Sequence, residues 1–349
     1  MNFKIGKKKL GKNCKTFIVA ELSGNHNGSI RRAKKLIKLA KMAGADAVKL
    51  QTYTADTITI KSNKRDFKIK GNSPWKKYKN FWNLYKKAST PWNWHKELFK
   101  FAKKTKIEIF TSPFDESAVD FLEDLNCPAY KIASPEINHV PLLEKVAKTK
   151  KPVILSKGLA KLADIILAVK VLRNNGCKKI AILQCVSSYP APLEDQNLKT
   201  IIDLKKKFKV MSGLSDHTEN NISAITSVAL GGSIVEKHFN ISDNTNTVDS
   251  FFSADYGKFK NLVRNIRQTE KTIGKISYQI SKSSKKHLVG RRSIYVSKNI
   301  KKGEKISLKN IKVVRPAFSL HPKYKKKNLG KVLKRSLEAG SRLKLNYLK

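Results

Sequence analysis

Cysteine, long apolar runs and acidic residues are all scarce in this 349-residue chain. Its four cysteines form no CxxC pair, which argues against a zinc ribbon or a thioredoxin-like motif. No run approaches the roughly 20 apolar residues that span a bilayer. The N-terminus contains lysines but no apolar segment of the kind found in signal peptides. We therefore expect a cytoplasmic protein without a membrane partner.

The shortage of acidic residues leaves a formal charge of +47, from 73 Lys and Arg against 26 Asp and Glu. A nucleic-acid binder is the first interpretation, because basic side chains neutralise phosphates. The distribution argues against it, since lysine is scattered along the chain, outnumbers arginine and forms no basic arm. We expect no nucleic-acid partner. A basic nucleic-acid-binding protein stays the alternative from another functional class, and a salt-dependent binding slope would identify it.

Short β-branched segments alternate with amphipathic helical segments, which predicts βα units around a parallel sheet. Strands are predicted at 17–22, 47–52, 108–112, 129–133, 152–156, 180–185, 210–214 and 233–238. Helices are predicted at 31–43, 94–104, 116–125, 141–148, 163–174, 198–208, 222–230 and 259–273. No GxGxxG motif follows the first strand, so eight units favour a closed (β/α)₈ TIM barrel over a dinucleotide-binding sheet.

The composition along the chain divides it into domains. Residues 1–275 are the predicted barrel, 276–290 are a Ser/Lys-rich linker, and 291–349 are a small β-rich domain. Strands of that domain are expected in SIYVSKNIKKGEKIS, IKVVRP and EAGSRLKLNYL. About sixty residues are near the lower limit for independent stability, so this domain should pack on another surface. Within the barrel, the insertion 55–91 is rich in aromatics, and long insertions of this kind are usually functional.

Polar residues recur at the carboxyl ends of the predicted strands, where TIM barrels place their active sites. Residues two apart on a strand point to the same face. Three such pairs occur: Lys49 with Gln51, Ser215 with His217, and Glu236 with His238. Burying these side chains without partners would be costly, so their recurrence at one end indicates a functional site.

His217 and His238 end adjacent predicted strands, about 5 Å apart across the sheet. Two imidazoles at that separation can share a divalent cation and leave positions open for water and substrate. Lys49 and Lys131, together with nearby serines, suit a phosphate and a carboxylate. A metal-dependent hydrolase in the same barrel would leave the two lysines unexplained.

A series of motifs then carries a specific resemblance. In chain order they are AELSGNHNG, VKLQTY, FTSPFD, AYKIASPEI, SSYPAP, GLSDHT and GGSIVEKHF. This series resembles the N-acetylneuraminate (sialic acid) synthase family, and RRSIYVSKNIKKGE with NIKVVRP resembles its antifreeze-like (SAF) domain. Two features are closer to the pseudaminic acid synthases: ELSGNHN in place of the sialate form EIGVNHN, and the stretch FWNLYKKASTPWNWHKELF.

The resemblance implies a transferase that condenses phosphoenolpyruvate with an N-acylated amino-sugar. For the pseudaminic branch, 2,4-diacetamido-2,4,6-trideoxy-L-altrose and water would give pseudaminic acid and phosphate. The resemblance also implies Mn²⁺ or a similar divalent ion, and a domain-swapped homodimer whose small domain caps the partner's barrel. An N-acetylneuraminate or legionaminate synthase stays the alternative, because only the sugar-facing residues would differ.

Site roles follow from the matched motifs. Phosphoenolpyruvate is assigned to Lys49, Thr111, Lys131, Ser134, Ser156 and Ser215. The predicted catalytic residues are Glu21, which positions water or transfers a proton, and the metal ligands His217 and His238. The sugar is assigned to Gln51, Glu136, Tyr189, Asp249 and, from the partner's small domain, Arg315. The resemblance is incomplete at two positions. Lys157 stands where the family has threonine, and Ser187 stands where the sialate synthases have asparagine.

Overall fold

The structure is a computed structural model, described here for residues 2–242 and 246–349. It divides into two compact units, Met1–Gly274 and Lys275–Lys349. Within the described ranges no helix is both long and apolar enough to cross a membrane.

An antiparallel hairpin opens the first unit and was not predicted from the sequence. It consists of β1 (Asn2–Ile5) and β2 (Lys8–Gly11), whose apolar residues Phe3, Ile5 and Leu10 are buried in the main core. The Lys7 backbone N–H donates to Glu108, and Lys8 pairs with Asp46 at 2.8 Å. Both carboxylates lie where barrel strands begin, so the hairpin covers the amino-terminal end of the barrel.

Eight parallel strands then close into a barrel, in which the last strand pairs with both the first and the seventh. They are β3 (Phe17–Glu21), β4 (Ala47–Thr52), β5 (Glu108–Pro113), β6 (Tyr130–Ile132), β7 (Val153–Ser156), β8 (Ile180–Cys185), β9 (Met211–Asp216) and β10 (Ile234–His238). Each overlaps a predicted strand. The predicted (β/α)₈ barrel is therefore confirmed.

Amphipathic helices surround the barrel and bury one face each. They are α1 (Ile30–Ala43), α2 (Ala55–Ile58), α3 (Phe81–Ala88), α4 (Trp92–Thr105), α5 (Glu116–Asp124), α6 (Val140–Lys148), α7 (Leu162–Asn174), α8 (Thr200–Phe208), α9 (Ile222–Ala229) and α10 (Tyr256–Ile273). Helix α1 shows the local rules: the Ser29 hydroxyl caps its start, and Gly44 ends it at φ 95°. Helices α2 and α3 belong to the aromatic insertion and were not predicted.

The second unit has its own apolar core, built around residues such as Ile294, Ile306 and Leu333. It contains β11 (Ser293–Val296), β12 (Ile311–Val314) and the short helix α11 (Lys325–Asn328). The prediction of a strand in EAGSRLKLNYL is wrong, because no regular strand forms there. That segment forms isolated bridges and a 3₁₀ turn, because Gly340 at φ 88° turns the backbone out of the extended region.

Candidate active site

A cavity of about 290 Å³ lies at the carboxyl ends of the barrel strands. Most of the predicted site residues line it. They are Lys49, Gln51, Lys131, Ser134, Ser156, Tyr189, Ser215, His217, His238 and Asp249. The closed barrel brings these side chains together from the carboxyl ends of six strands, β4 and β6 to β10, and from the loop after β10, which is why they are far apart in the sequence.

Four buried charges form the floor of this cavity. One oxygen of Glu236, Oε1, lies 3.0 Å from Lys131 Nζ and 3.2 Å from Lys49 Nζ, and accepts from the Ser215 hydroxyl at 3.2 Å. Lys49 also pairs with Glu21 Oε2 at 2.9 Å. None of the four charged residues is more than 4% exposed. The two ammonium groups and two carboxylates thus balance one another, and Lys49, Lys131 and Glu236 also line the cavity.

Glu236 is a site residue that the sequence-based assignment omitted. The signal was present, because Glu236 stands two residues before His238 on the last strand and points to the same face. The matched motifs gave it no role, and only the closed barrel shows that it is the common partner of both lysines.

The four charged groups titrate differently because their partners differ. Burial raises the pKa of Glu236, but Lys131 and Lys49 outweigh this and hold it below its usual range. For Glu21 burial prevails over the attraction of Lys49, so its pKa is raised. Burial likewise lowers the pKa of Lys131, whereas Glu21 and Glu236 together outweigh burial and raise that of Lys49. Glu21 is therefore the carboxylate of the pair that takes up a proton more readily.

His217 and His238 lie side by side, with ring centroids 5.4 Å apart. The His217 Nδ1–H donates to the Val186 carbonyl at 2.8 Å, so Nε2 carries a lone pair when the ring is neutral. Burial lowers the pKa of His217, but the contacts with Cys185 and the Val186 carbonyl outweigh burial and raise it. His238 Nδ1 lies 3.3 Å from the Ser23 hydroxyl, and burial lowers the pKa of His238 well below its usual value. Across the described residues, no group of three or more His, Cys, Asp or Glu side chains is arranged to hold a metal ion.

A turn rich in hydroxyls borders the lysines. The Ser134 hydroxyl accepts from the Leu159 N–H at 2.6 Å, while Ser156 Oγ and Ser187 Oγ are buried without a hydrogen-bond partner. A Cβ on Gly158 would lie 2.3 Å from Ser187 Oγ and 2.5 Å from Ser134 Oγ. A glycine is therefore required for the close approach of this turn, and the unpaired hydroxyls are available to an anionic ligand.

Thr111 does not belong to this site, and its assignment to phosphoenolpyruvate needs correction. Its hydroxyl bonds to Thr52 Oγ1 at 2.7 Å, and that hydroxyl contacts His95 of helix α4 at 2.8 Å. Thr111 thus faces the helix layer, whereas its neighbour Ser112 faces the barrel interior, with Oγ 3.4 Å from Lys49 Nζ. Because strand residues alternate in direction, an alignment shifted by one residue selects the wrong face.

An apolar wall faces the charged floor. We use this term for Trp75, Leu84, Ala88, Val248 and Phe252, all of which line the cavity. The first three come from the aromatic insertion, so this segment forms part of the cavity lining. The Trp75 indole N–H donates to the Val248 carbonyl at 2.9 Å, and the Trp75 and Phe252 rings both contact the Tyr189 ring.

Of the remaining predicted sugar residues, Asp249 and Gln51 line the cavity, whereas Glu136 and Arg315 do not. Asp249 accepts from the Gly24 N–H at 3.2 Å, and Gln51 donates to Glu21 Oε1 at 3.1 Å. Glu136 lies outside the lining, and burial raises its pKa to about 7. Arg315 is exposed in the second unit, directly after β12.

Comparison with known proteins places this site in a family. The NeuB family profile matches residues 36–278, and the SAF domain profile matches residues 291–348. The chain belongs to the NeuB family.

Individual NeuB relatives are similar over nearly their whole length. The pseudaminic acid synthase of Campylobacter jejuni is 43% identical over 95% of this chain and 96% of the relative. That of Helicobacter pylori is 44% identical over 93% and 96%. Among solved structures, the sialic acid synthetase of Leptospira borgpetersenii has a TM-score of 0.72 at 29% identity, covering 82% of this chain and 95% of the other.

Neutralising Glu236 should damage both stability and activity of this NeuB protein. In Glu236→Gln two buried ammonium groups lose their shared countercharge, so we expect a loss of about 3–5 kcal/mol in the free energy of unfolding. We expect kcat/KM to fall by about 100-fold or more, because the lysines are no longer held in place. Denaturant unfolding and initial rates, measured where circular dichroism shows a folded protein, check both effects.

The matched control is Glu219→Gln, an exposed glutamate shortly after β9. It should leave stability within about 0.5 kcal/mol and activity unchanged. Equal behaviour of the two variants would contradict the role given to Glu236.

Proposed function

We propose that this chain is a pseudaminic acid synthase, condensing phosphoenolpyruvate with 2,4-diacetamido-2,4,6-trideoxy-L-altrose and water. The observation that carries the proposal is the buried Lys49–Glu236–Lys131 cluster beside two histidines at one cavity. The similarity to two pseudaminic acid synthases over more than nine-tenths of the chain supports this choice of sugar. An N-acetylneuraminate or legionaminate synthase stays the alternative product class, and a cytoplasmic location stays a prediction.

In this reaction C3 of phosphoenolpyruvate forms a bond to the aldehyde carbon of the sugar. Water adds at C2, the C2–oxygen bond to phosphate breaks, and inorganic phosphate leaves with the electron pair. Lys49 and Lys131 provide fixed positive charge where the phosphate accumulates negative charge. The unpaired Ser156 hydroxyl can donate to the same group. Glu21, whose pKa burial raises, is the proposed proton carrier for the reacting water.

His217 and His238 are the residues that would hold a divalent cation such as Mn²⁺. Nε2 of His217, which the Val186 contact at Nδ1 leaves open, and the neutral ring of His238 fit this role, because metals bind deprotonated imidazole nitrogen. Since the pKa of His217 is raised, an ion at this position would compete with a proton. When bound, the ion would supply Lewis acidity toward the aldehyde oxygen. The Val186 carbonyl fixes the ring orientation of His217 from the opposite side.

We further propose that the protein is a domain-swapped homodimer in which Arg315 of one chain completes the sugar site of the other. A planar guanidinium suits an acyl oxygen or a carboxylate. The preceding segment 275–284 forms no helix or strand, and at about 3.3 Å per extended residue it can reach a partner.

The product assay tests the function directly. Phosphoenolpyruvate with the diacetamido-trideoxy sugar should yield equal amounts of inorganic phosphate and a nine-carbon keto acid, detected by mass spectrometry. Ribose-type and unmodified hexose controls should yield neither. A preference for another N-acylated sugar would replace the pseudaminic assignment, and phosphate release without a new carbon–carbon bond would reject condensation.

The metal assignment has a readout separate from turnover. Wild type should bind Mn²⁺ in calorimetry, and excess chelator should silence the enzyme until Mn²⁺ is restored. His217→Ala and His238→Ala should each lose Mn²⁺ binding while keeping a native circular dichroism spectrum. His287→Ala, in the second unit, is the control. Full activity in excess chelator would exclude the Lewis-acid role.

Subunit mixing tests the shared site. Lys131→Ala and Arg315→Ala should each be inactive alone. If Arg315 serves the partner's barrel, mixed dimers contain one intact site and activity returns, up to about a quarter of wild type for random exchange of equal amounts. No recovery despite demonstrated exchange would show that Arg315 serves its own barrel or no site at all.

A further inference from the structure

Gly24 is the position where the apolar wall meets the barrel. It lies in the 3₁₀ turn Ser23–His26 that follows β3, and it is buried. A Cβ built on Gly24 would lie 3.2 Å from Val248 Cβ and 3.3 Å from Ala88 Cβ, tighter than ordinary contact. The φ angle of Gly24 is outside the left-handed region, so other residues can adopt its backbone conformation. Glycine is therefore needed at this position because a side chain would collide with its neighbours, not because of the backbone conformation.

The two neighbours of Gly24 have little freedom to move away. Ala88 ends helix α3, and Val248 is tied through its carbonyl to the Trp75 indole. Both are buried, at 6% and 4% exposure, in one cluster with Leu84. Ala88 and Val248 line the cavity but Gly24 does not. A side chain at position 24 would therefore displace the wall toward the cavity.

The chemistry of the wall indicates what it contacts. Its lining side chains offer methyl, methylene and ring carbon atoms, and the one indole N–H is already bound to Val248. A sugar hydroxyl that faces these five side chains would lose water without gaining a partner from them, which is unfavourable. Partners for hydroxyls are offered elsewhere in the cavity by Tyr53, Tyr85, Tyr189 and Asp249. The methyl group of a deoxy carbon or of an acetamido substituent makes no hydrogen bond to water, so its burial against the wall is favourable.

We propose that Gly24 is a specificity-determining position, which lets the apolar wall pack against the turn after β3 and so opens a subsite for the methyl-bearing groups of an N-acylated deoxy sugar. This inference rests on the proposed function. A larger residue should narrow the subsite without touching the lysines that hold phosphoenolpyruvate.

Binding of unreactive sugar analogues tests the proposal. The probes are the alditol of 2,4-diacetamido-2,4,6-trideoxy-L-altrose and the alditol of an N-acetylhexosamine with free hydroxyls at carbons 4 and 6. Calorimetry with phosphoenolpyruvate and Mn²⁺ present should show that wild type prefers the deoxy probe. Gly24→Val should weaken that probe about 10- to 100-fold, the scale of a filled methyl site, and leave phosphoenolpyruvate affinity within about twofold.

A matched control variant and a rescue variant distinguish a change in the shape of the subsite from a general loss of protein stability. Gly290→Val makes the same change at a glycine with nothing within 4 Å and no left-handed φ, so it should change neither affinity. Gly24→Ala is the milder variant for use if valine prevents folding. Adding Ala88→Gly to Gly24→Ala removes the contact atom at 3.3 Å and should recover part of the lost affinity.

Equal binding of both probes to wild type, or unchanged binding of the deoxy probe in Gly24→Val and Gly24→Ala, would overturn the inference. A parallel loss of phosphoenolpyruvate affinity would also overturn it, because the effect would then not be confined to the sugar subsite. The alditols do not react, so these outcomes are independent of turnover. Absence of any condensation product from the aldose would reject the proposed function instead.

Discussion

The sharing of one Glu236 oxygen between Lys49 and Lys131 is the interaction on which the site depends. Two ammonium groups in a dry barrel would repel each other and lose hydration, and each alone would be unstable in its charged form. Glu236 on the last strand neutralises both lysines, and Glu21 on the adjacent first strand pairs with Lys49, which offsets that cost. The lysines can then remain fixed before any anion binds, which is the condition for electrostatic stabilisation without reorganisation.

The cavity combines two surfaces of different origin. The charged floor comes from barrel strands, whose positions are set by hydrogen-bonded register. The apolar wall comes largely from the insertion between β4 and β5, with Val248 and Phe252 added by the loop after β10. A floor fixed by strands suits the substrate that every member of such a family would share. A wall built from loops can change its shape while the barrel stays intact.

The periodicity of the sequence predicted the barrel well, because buried parallel strands and amphipathic helices each have a clear pattern. It missed the hairpin Asn2–Gly11, since two four-residue strands carry too few residues for a period to be read. The site was predicted largely through motifs, which explains both kinds of error. Thr111 was selected in place of Ser112 because a motif does not show which face a residue occupies. Glu236 was omitted because its importance comes from two partners on distant strands.

The hairpin that covers the amino-terminal end of the barrel determines from which side ligands can enter. Phe3, Ile5 and Leu10 pack into the core at that end, so a ligand cannot enter along the barrel axis from there. The cavity is reached from the carboxyl ends of the strands. A ligand that binds the buried lysines therefore enters past the aromatic side chains that line the cavity. Because both substrates of the proposed reaction would enter from this side, an anion held by the buried lysines would lie deeper in the barrel than a sugar held at the apolar wall.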